Sequence, residues 1–113
     1  MKNMRVLIVD DSMVMRKMIE RSLREAGLSL GEVLGAADGW EALAATQKTP
    51  PDLILCDINM PTMDGMEFLH ALQGVEKARN IPVVMITTEG SEVRLNQALA
   101  SGARGYIRKP FTS

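Results

Sequence analysis

Short apolar runs that lack polar alternation recur along the chain, and three of them lead directly to charged residues. Such runs are typical of strands buried on both faces, as in parallel sheets. Ligands of open parallel sheets bind outside the carboxyl ends of the strands, so these charged residues are predicted to surround one crevice. The runs are 6–9 before Asp10 and Asp11, 53–56 before Asp57, and 106–107, which leads through Arg108 to Lys109.

Between these runs, apolar residues recur at helical spacing, so strands and helices are predicted to alternate. Alternating units of this kind predict an α/β domain with a parallel sheet and helices on both faces. Ser12 is the predicted N-cap of the first helix, and Asp38 with Gly39 is predicted to form a turn. The predicted strands are 5–9, 32–37, 52–56, 81–87 and 105–108, and the predicted helices are 13–26, a short stretch from 40 to before Pro50, 66–73 and 91–100.

The sequence stops at Ser113, close to where a fifth helix would begin. We therefore predict one domain over 1–113 in which the last helix is absent, leaving part of one sheet face bare. Two explanations stay open. Either residues beyond Ser113 were removed or are disordered, or a second copy covers the face as a dimer or an exchanged assembly.

Composition narrows the classes of protein to which the chain can belong. It has 113 residues, of which 46% are hydrophobic, and a net charge of −1. That charge gives no electrostatic reason to expect nucleic acid or an anionic membrane as partner. The single cysteine fits a reducing compartment. No apolar stretch approaches the roughly 20 residues that a membrane span needs, so we expect a cytoplasmic domain without membrane insertion.

The charged strand endings suggest phosphoryl transfer. Asp10, Asp11 and Asp57 would repel one another without a cation, and Mg²⁺ is a hard ion that prefers oxygen ligands. Lys109 can pair with a phosphoryl oxygen, and Thr87 offers a hydroxyl at the same edge. Asp57 stands alone at its strand end, so it is the predicted nucleophile of an aspartyl-phosphate.

Four segments together resemble the receiver domains of two-component response regulators. The resemblance extends from Arg5 to Phe111, nearly the whole chain, and the four motifs occur in the order and spacing of that family. It implies a flavodoxin-like fold with a doubly wound, five-stranded parallel sheet in the order 2-1-3-4-5. The matching segments are 9–12, 52–65, 81–87 and 102–111.

The resemblance also implies roles for residues at the predicted crevice. Asp57 would be the phosphoacceptor, modified by a sensor histidine kinase. Asp11 and Asp57 would bind Mg²⁺ directly, Asp10 mainly through water, and Asn59 through its backbone carbonyl. Lys109 would contact the phosphoryl oxygens.

Other residues are implicated in switching and in the lifetime of the phosphate. Thr87 would turn its hydroxyl toward the phosphoryl group, and Tyr106 would move inward into the vacated space. Asn59 and Glu89 would tune hydrolysis of the aspartyl-phosphate. Gly65 would serve the tight turn after the loop that follows Asp57.

Within the family, Asn59, Glu89 and Tyr106 favour the single-domain chemotaxis regulators. The expected partners are then a sensor kinase, a downstream protein such as the flagellar motor, and a phosphatase. Two alternatives stay open. The chain could be the receiver of a larger DNA-binding or enzyme-linked regulator, or a phosphohydrolase of the haloacid dehalogenase type, although the latter would be expected to carry an Asp-x-Asp motif and a cap segment.

Overall fold

The fold is a parallel five-stranded sheet with helices on both faces. The structure, a computed structural model, describes residues 3–58, 60, 62–87 and 92–108. The strand order is β2-β1-β3-β4-β5, which confirms the predicted order and fold class. The elements are β1 Met4–Val9, α1 Met13–Glu25, β2 Leu30–Ala36, α2 Gly39–Lys48, β3 Leu53–Asp57, α3 Gly65–Gln73, β4 Val83–Thr87, α4 Glu92–Ala100 and β5 Gly105–Arg108.

Side chains alternate between the two faces of the sheet, because successive residues of a strand point to opposite sides. In β1, Val6 and Ile8 pack with Ile19 of α1 on one face. Leu7 and Val9 belong to the other core, which α2, α3 and α4 cover. The central strands are thus buried on both sides, as their unbroken apolar runs predict. On the α1 face, five strand residues remain only partly buried: Met4, Val33, Leu53, Val84 and Ile107.

Several predicted element boundaries need correction. The segment at Asp38 and Gly39 is not a free turn: Asp38 is the N-cap of α2, accepting a hydrogen bond from the Glu41 N–H at 2.9 Å, and Gly39 is the first helical residue. The fourth strand begins at Val83 rather than residue 81, because Pro82 has no N–H for the sheet. The third strand extends one residue further than predicted, and that residue is Asp57.

The start of α1 agrees with the sequence prediction. Ser12 is the N-cap, and its side chain accepts a hydrogen bond from the Met15 N–H at 3.2 Å. Gly27 follows the helix with a φ of 94°, a conformation that favours glycine and ends the helix. Within the described residues, no helix is long and apolar enough to cross a membrane.

Candidate functional site

Three carboxylates converge at the carboxyl edge of the sheet. β1 and β3 are neighbours, and the register places Val9 beside Cys56. The next residues, Asp10 and Asp57, therefore leave adjacent strands at the same level. One carboxylate oxygen from each of Asp10, Asp11 and Asp57 lies within 4.8 Å of the others. The sequence prediction of an acidic cluster at this edge is confirmed.

The three carboxylates differ in exposure, and this suits different roles. Asp57 and Asp10 are both buried, with 5% and 1% of their surface exposed. Asp11 is exposed. A carboxylate held at a buried strand end has a fixed position, whereas an exposed one is accessible to an ion arriving from solvent.

The backbone around Asp10 is held by several hydrogen bonds. Its N–H donates to the Ala36 carbonyl of β2 at 3.0 Å, and its carboxylate accepts from the Ser12 N–H at 2.9 Å. The Arg16 guanidinium donates to the Asp10 carbonyl oxygen at 2.5 Å. Arg16 lies over Gly35, where an added Cβ would come 3.1 Å from its Nε. No sequence motif pointed to Arg16 or Gly35, because their contact depends on how α1 crosses β2.

The loop after Asp57 is fixed to the strand end by a close backbone approach at Gly65. The Gly65 N–H donates to the Ile58 carbonyl at 2.9 Å. A Cβ on Gly65 would overlap the Asp57 carbonyl oxygen and would lie 2.8 Å from the Ile58 Cα. The sequence prediction named Gly65 for a tight turn. The structure gives another reason, since only a residue without a side chain lets α3 begin against the strand end.

Thr62 and Met63 complete the described part of this loop. Thr62 has a φ of 67°, which is uncommon for a residue other than glycine, and the sequence reasoning did not identify it. The Met63 carbonyl accepts a hydrogen bond from the Gly39 N–H at 3.0 Å, which joins the loop to the start of α2. Non-glycine residues in this conformation are concentrated at functional sites.

The acidic cluster fits a hard divalent cation. Each of Asp10, Asp11 and Asp57 can offer a carboxylate oxygen, and Mg²⁺ binds oxygen ligands, often one or two carboxylates with waters and a phosphate group. A cation would also remove the repulsion among three carboxylates so close together. The residues present therefore fit a magnesium site.

Cys56 lies directly before the predicted nucleophile but does not share its chemistry. Burial raises the pKa of the Cys56 thiol well above its usual range, and the carboxylates of Asp57, Asp10 and Asp64 raise it further. The thiol contacts the Asp57 carbonyl oxygen at 3.4 Å. Because the thiolate is the reactive form, Cys56 should be inert in the folded protein.

We expect native Cys56 to react with iodoacetamide at pH 8 at least about 100-fold more slowly than the cysteine of the unfolded chain, since reaction requires opening of the fold. Mass spectrometry with and without denaturant measures both rates. Because folding raises the pKa of Cys56, the associated stability is intact below the ordinary pKa of a cysteine thiol and declines as the pH rises above it. Equal alkylation rates in the two states would contradict this assignment.

Two of the remaining predicted site residues, Thr87 and Tyr106, lie in the described part of the sheet. Thr87 ends β4, beside Arg108 of β5, and its backbone is described but its side chain is not. Tyr106 pairs with Met85 and is 48% exposed, so the ring lies at the surface rather than in the inward position. The predictions for Asn59, Glu89 and Lys109 fall outside the described residues.

A family model assigns the chain's sequence to a known class of domain. The model of the response regulator receiver domain matches residues 6–113. The match includes the three carboxylates of the acidic cluster. It also includes every strand of the sheet, apart from the first two residues of β1.

Individual relatives agree with this match. Chemotaxis protein CheY-3 of Vibrio cholerae is 38% identical over 112 residues, which cover 99% of this chain and 85% of the relative. The solved structure of CheY4 from the same organism is 42% identical, with a TM-score of 0.85, covering 98% of this chain and 90% of that one. NtrX from Brucella abortus is 30% identical with a TM-score of 0.84, but this chain covers only 24% of NtrX.

Proposed function

The chain belongs to the family of response regulator receiver domains, and from this premise we propose that Asp57 accepts a phosphoryl group from a sensor histidine kinase. Receiver domains are signalling domains and not turnover enzymes, so the phosphohydrolase alternative is set aside. The observation that carries the proposal is the convergence of the Asp10, Asp11 and Asp57 carboxylates at the carboxyl edge of the sheet.

In the proposed reaction, a carboxylate oxygen of Asp57 attacks the phosphorus of a phosphohistidine. A P–O bond forms and the P–N bond breaks. The electron pair of the P–N bond returns to the imidazole nitrogen, which takes a proton from solvent. Asp10 and Asp11 would hold Mg²⁺ together with Asp57. When bound, the ion supplies positive charge that offsets the charge on the transferred group.

The uptake of one phosphoryl group tests this proposal. We expect acetyl phosphate with Mg²⁺ to add one phosphoryl group, seen by intact-mass measurement, and EDTA to prevent the addition. An acyl phosphate is cleaved by hydroxylamine, whereas a phosphoserine or phosphothreonine is not. A modification that resists hydroxylamine would therefore count against a carboxylate nucleophile.

Binding of Mg²⁺ should stabilise the fold through the same carboxylates. At free Mg²⁺ ten times the dissociation constant, a single site adds about 1.4 kcal/mol to the free energy of unfolding. We expect Asp11→Asn to lose most of this gain, and Asp38→Asn to keep it, since Asp38 caps α2 and asparagine also caps helices. Thermal melts with and without Mg²⁺ measure both. If Mg²⁺ stabilised wild type and Asp11→Asn equally, Asp11 would not be a ligand of the ion.

We further propose that phosphorylation shifts Thr87 and Tyr106, with Lys109 contacting the phosphoryl oxygens and with Asn59 and Glu89 tuning hydrolysis. The surface position of Tyr106 supports this, because the ring has an outward arrangement from which to move. The names of the Vibrio cholerae relatives support a role in chemotaxis. Capture of a flagellar motor component or a phosphatase only in the presence of beryllofluoride, a stable phosphoryl analogue, would identify the partner.

A further inference from the structure

One ion pair joins the helix after the predicted phosphorylation loop to the helix after Thr87. The Arg94 guanidinium of α4 donates to the carboxylate of Asp64, the N-cap of α3, at 2.8 Å. The side chains of Arg94 and Asp64 are 37% and 29% exposed. The other two ion pairs formed among the described residues, Arg5 with Glu32 and Arg24 with Glu20, do not join two helices.

Asp64 is rigidly attached to the strand end that carries Asp57. Its second carboxylate oxygen accepts the Glu67 N–H at 3.0 Å, and the Glu67 carboxylate accepts the Asp64 N–H at 3.1 Å. The next residue, Gly65, lies against the backbone of Asp57 and Ile58. Asp64 therefore cannot follow a movement of α4 without displacing the start of α3.

α4, in contrast, is only lightly anchored. Among its described side chains, Leu95 and Ala98 are buried, whereas Val93 is 73% exposed and Leu99 is 37% exposed. Arg94 lies in the first turn, seven residues after Thr87. An ion pair at this turn therefore adds to the anchoring that the buried Leu95 and Ala98 provide.

We propose that the Arg94–Asp64 ion pair is a clamp that holds α4 in its unphosphorylated position and thereby sets how readily Asp57 is modified. This inference rests on the proposed function. A displacement passing from Thr87 into the first turn of α4 moves Arg94 while Asp64 stays with the strand end. The ion pair is then lost, so it favours the unphosphorylated arrangement. A phosphoryl analogue binds to the other arrangement, in which the ion pair is broken. Its apparent affinity is therefore lower when fewer molecules are in that arrangement.

The test is titration of the full chain with beryllofluoride in the presence of Mg²⁺. Tyr106 is the only tyrosine in the sequence, so labelling with 3-fluorotyrosine gives a single ¹⁹F signal that reports the population of the two arrangements. We expect Arg94→Gln to tighten apparent beryllofluoride binding about threefold, the factor that a partly exposed ion pair can supply. The ¹⁹F signal of the free variant should move toward that of the beryllofluoride complex.

Matched variants separate the clamp from other effects of substitution. Asp64→Asn keeps the helix cap but removes the charge, so it should act like Arg94→Gln. The double variant should bind no more tightly than either single variant, because both remove the same interaction. Arg79→Gln removes an exposed arginine that follows α3 and should leave binding unchanged.

The outcomes distinguish the clamp from the function on which it rests. If the wild-type protein binds beryllofluoride and neither single variant binds it more tightly, the clamp is overturned and the proposed function is not. Wild-type protein that neither binds beryllofluoride nor accepts a phosphoryl group overturns the clamp and the proposed function together. Tighter binding by both single variants, with no additivity and no effect of Arg79→Gln, supports the clamp.

Discussion

Asp57→Asn is expected to abolish phosphoryl uptake from acetyl phosphate, to below the detection limit of intact-mass measurement. The amide has no anionic oxygen to attack phosphorus, so no acyl phosphate can form. The side chain keeps its size at a position where only 5% of the residue is exposed. Circular dichroism and a thermal melt should show that the variant remains folded.

Asp52→Asn is the matched control, because Asp52 precedes the strand that Asp57 ends. Its carboxylate accepts a hydrogen bond from the Arg5 N–H at 2.8 Å, at the amino end of β3, whereas Asp57 lies at the carboxyl end. We expect this variant to accept a phosphoryl group as the wild type does. Uptake by Asp57→Asn at the wild-type rate would assign the phosphate to another residue, and loss of uptake in both variants would point to a general loss of structure.

The order and type of the elements were predictable because the relevant signals are local. Runs such as 53–56 are apolar throughout, which indicates a strand covered on both faces, and Ser12 has the side chain that caps helices. The errors occurred at boundaries. Asp38 and Gly39 form a typical turn pair, but Asp38 caps α2, and Gly39 begins the helix in contact with Met63. That contact joins residues far apart in sequence, so no local pattern reveals it.

The acidic cluster was predictable for a different reason, since parallel strands bring their carboxyl ends to one edge. The groups that hold the cluster in place were not. Arg16 donates to a backbone carbonyl, which has no sequence signature. Arg94 is one of several arginines on helices, and its ion pair with Asp64 depends on how α4 lies against α3. Residue type and topology are enough to predict candidate metal ligands. The residues that hold those ligands in position depend on how the helices pack, which the sequence pattern does not reveal.

Gly65→Ala is expected to destabilise the domain by about 2–3 kcal/mol. The added Cβ would overlap the Asp57 carbonyl oxygen and lie 2.8 Å from the Ile58 Cα. Both are backbone atoms of a buried strand end, so they cannot move aside as a flexible side chain can. Alanine is the better helix former by about 1 kcal/mol in a helix interior, but Gly65 is the first residue of α3, so the overlap dominates.

Gly105→Ala is the matched control, because nothing lies within 4 Å of a Cβ added there and the residue is not in the left-handed region. Its free energy of unfolding should stay within about 0.5 kcal/mol of wild type, whereas Gly65→Ala should lower the melting temperature by about 10 °C. Because relief of the overlap at Gly65 must displace Asp57 or α3, phosphoryl uptake should also slow at temperatures where that variant is still folded. A variant with normal stability and normal uptake would show that the loop can yield, and that Gly65 is not needed to hold the strand end in place.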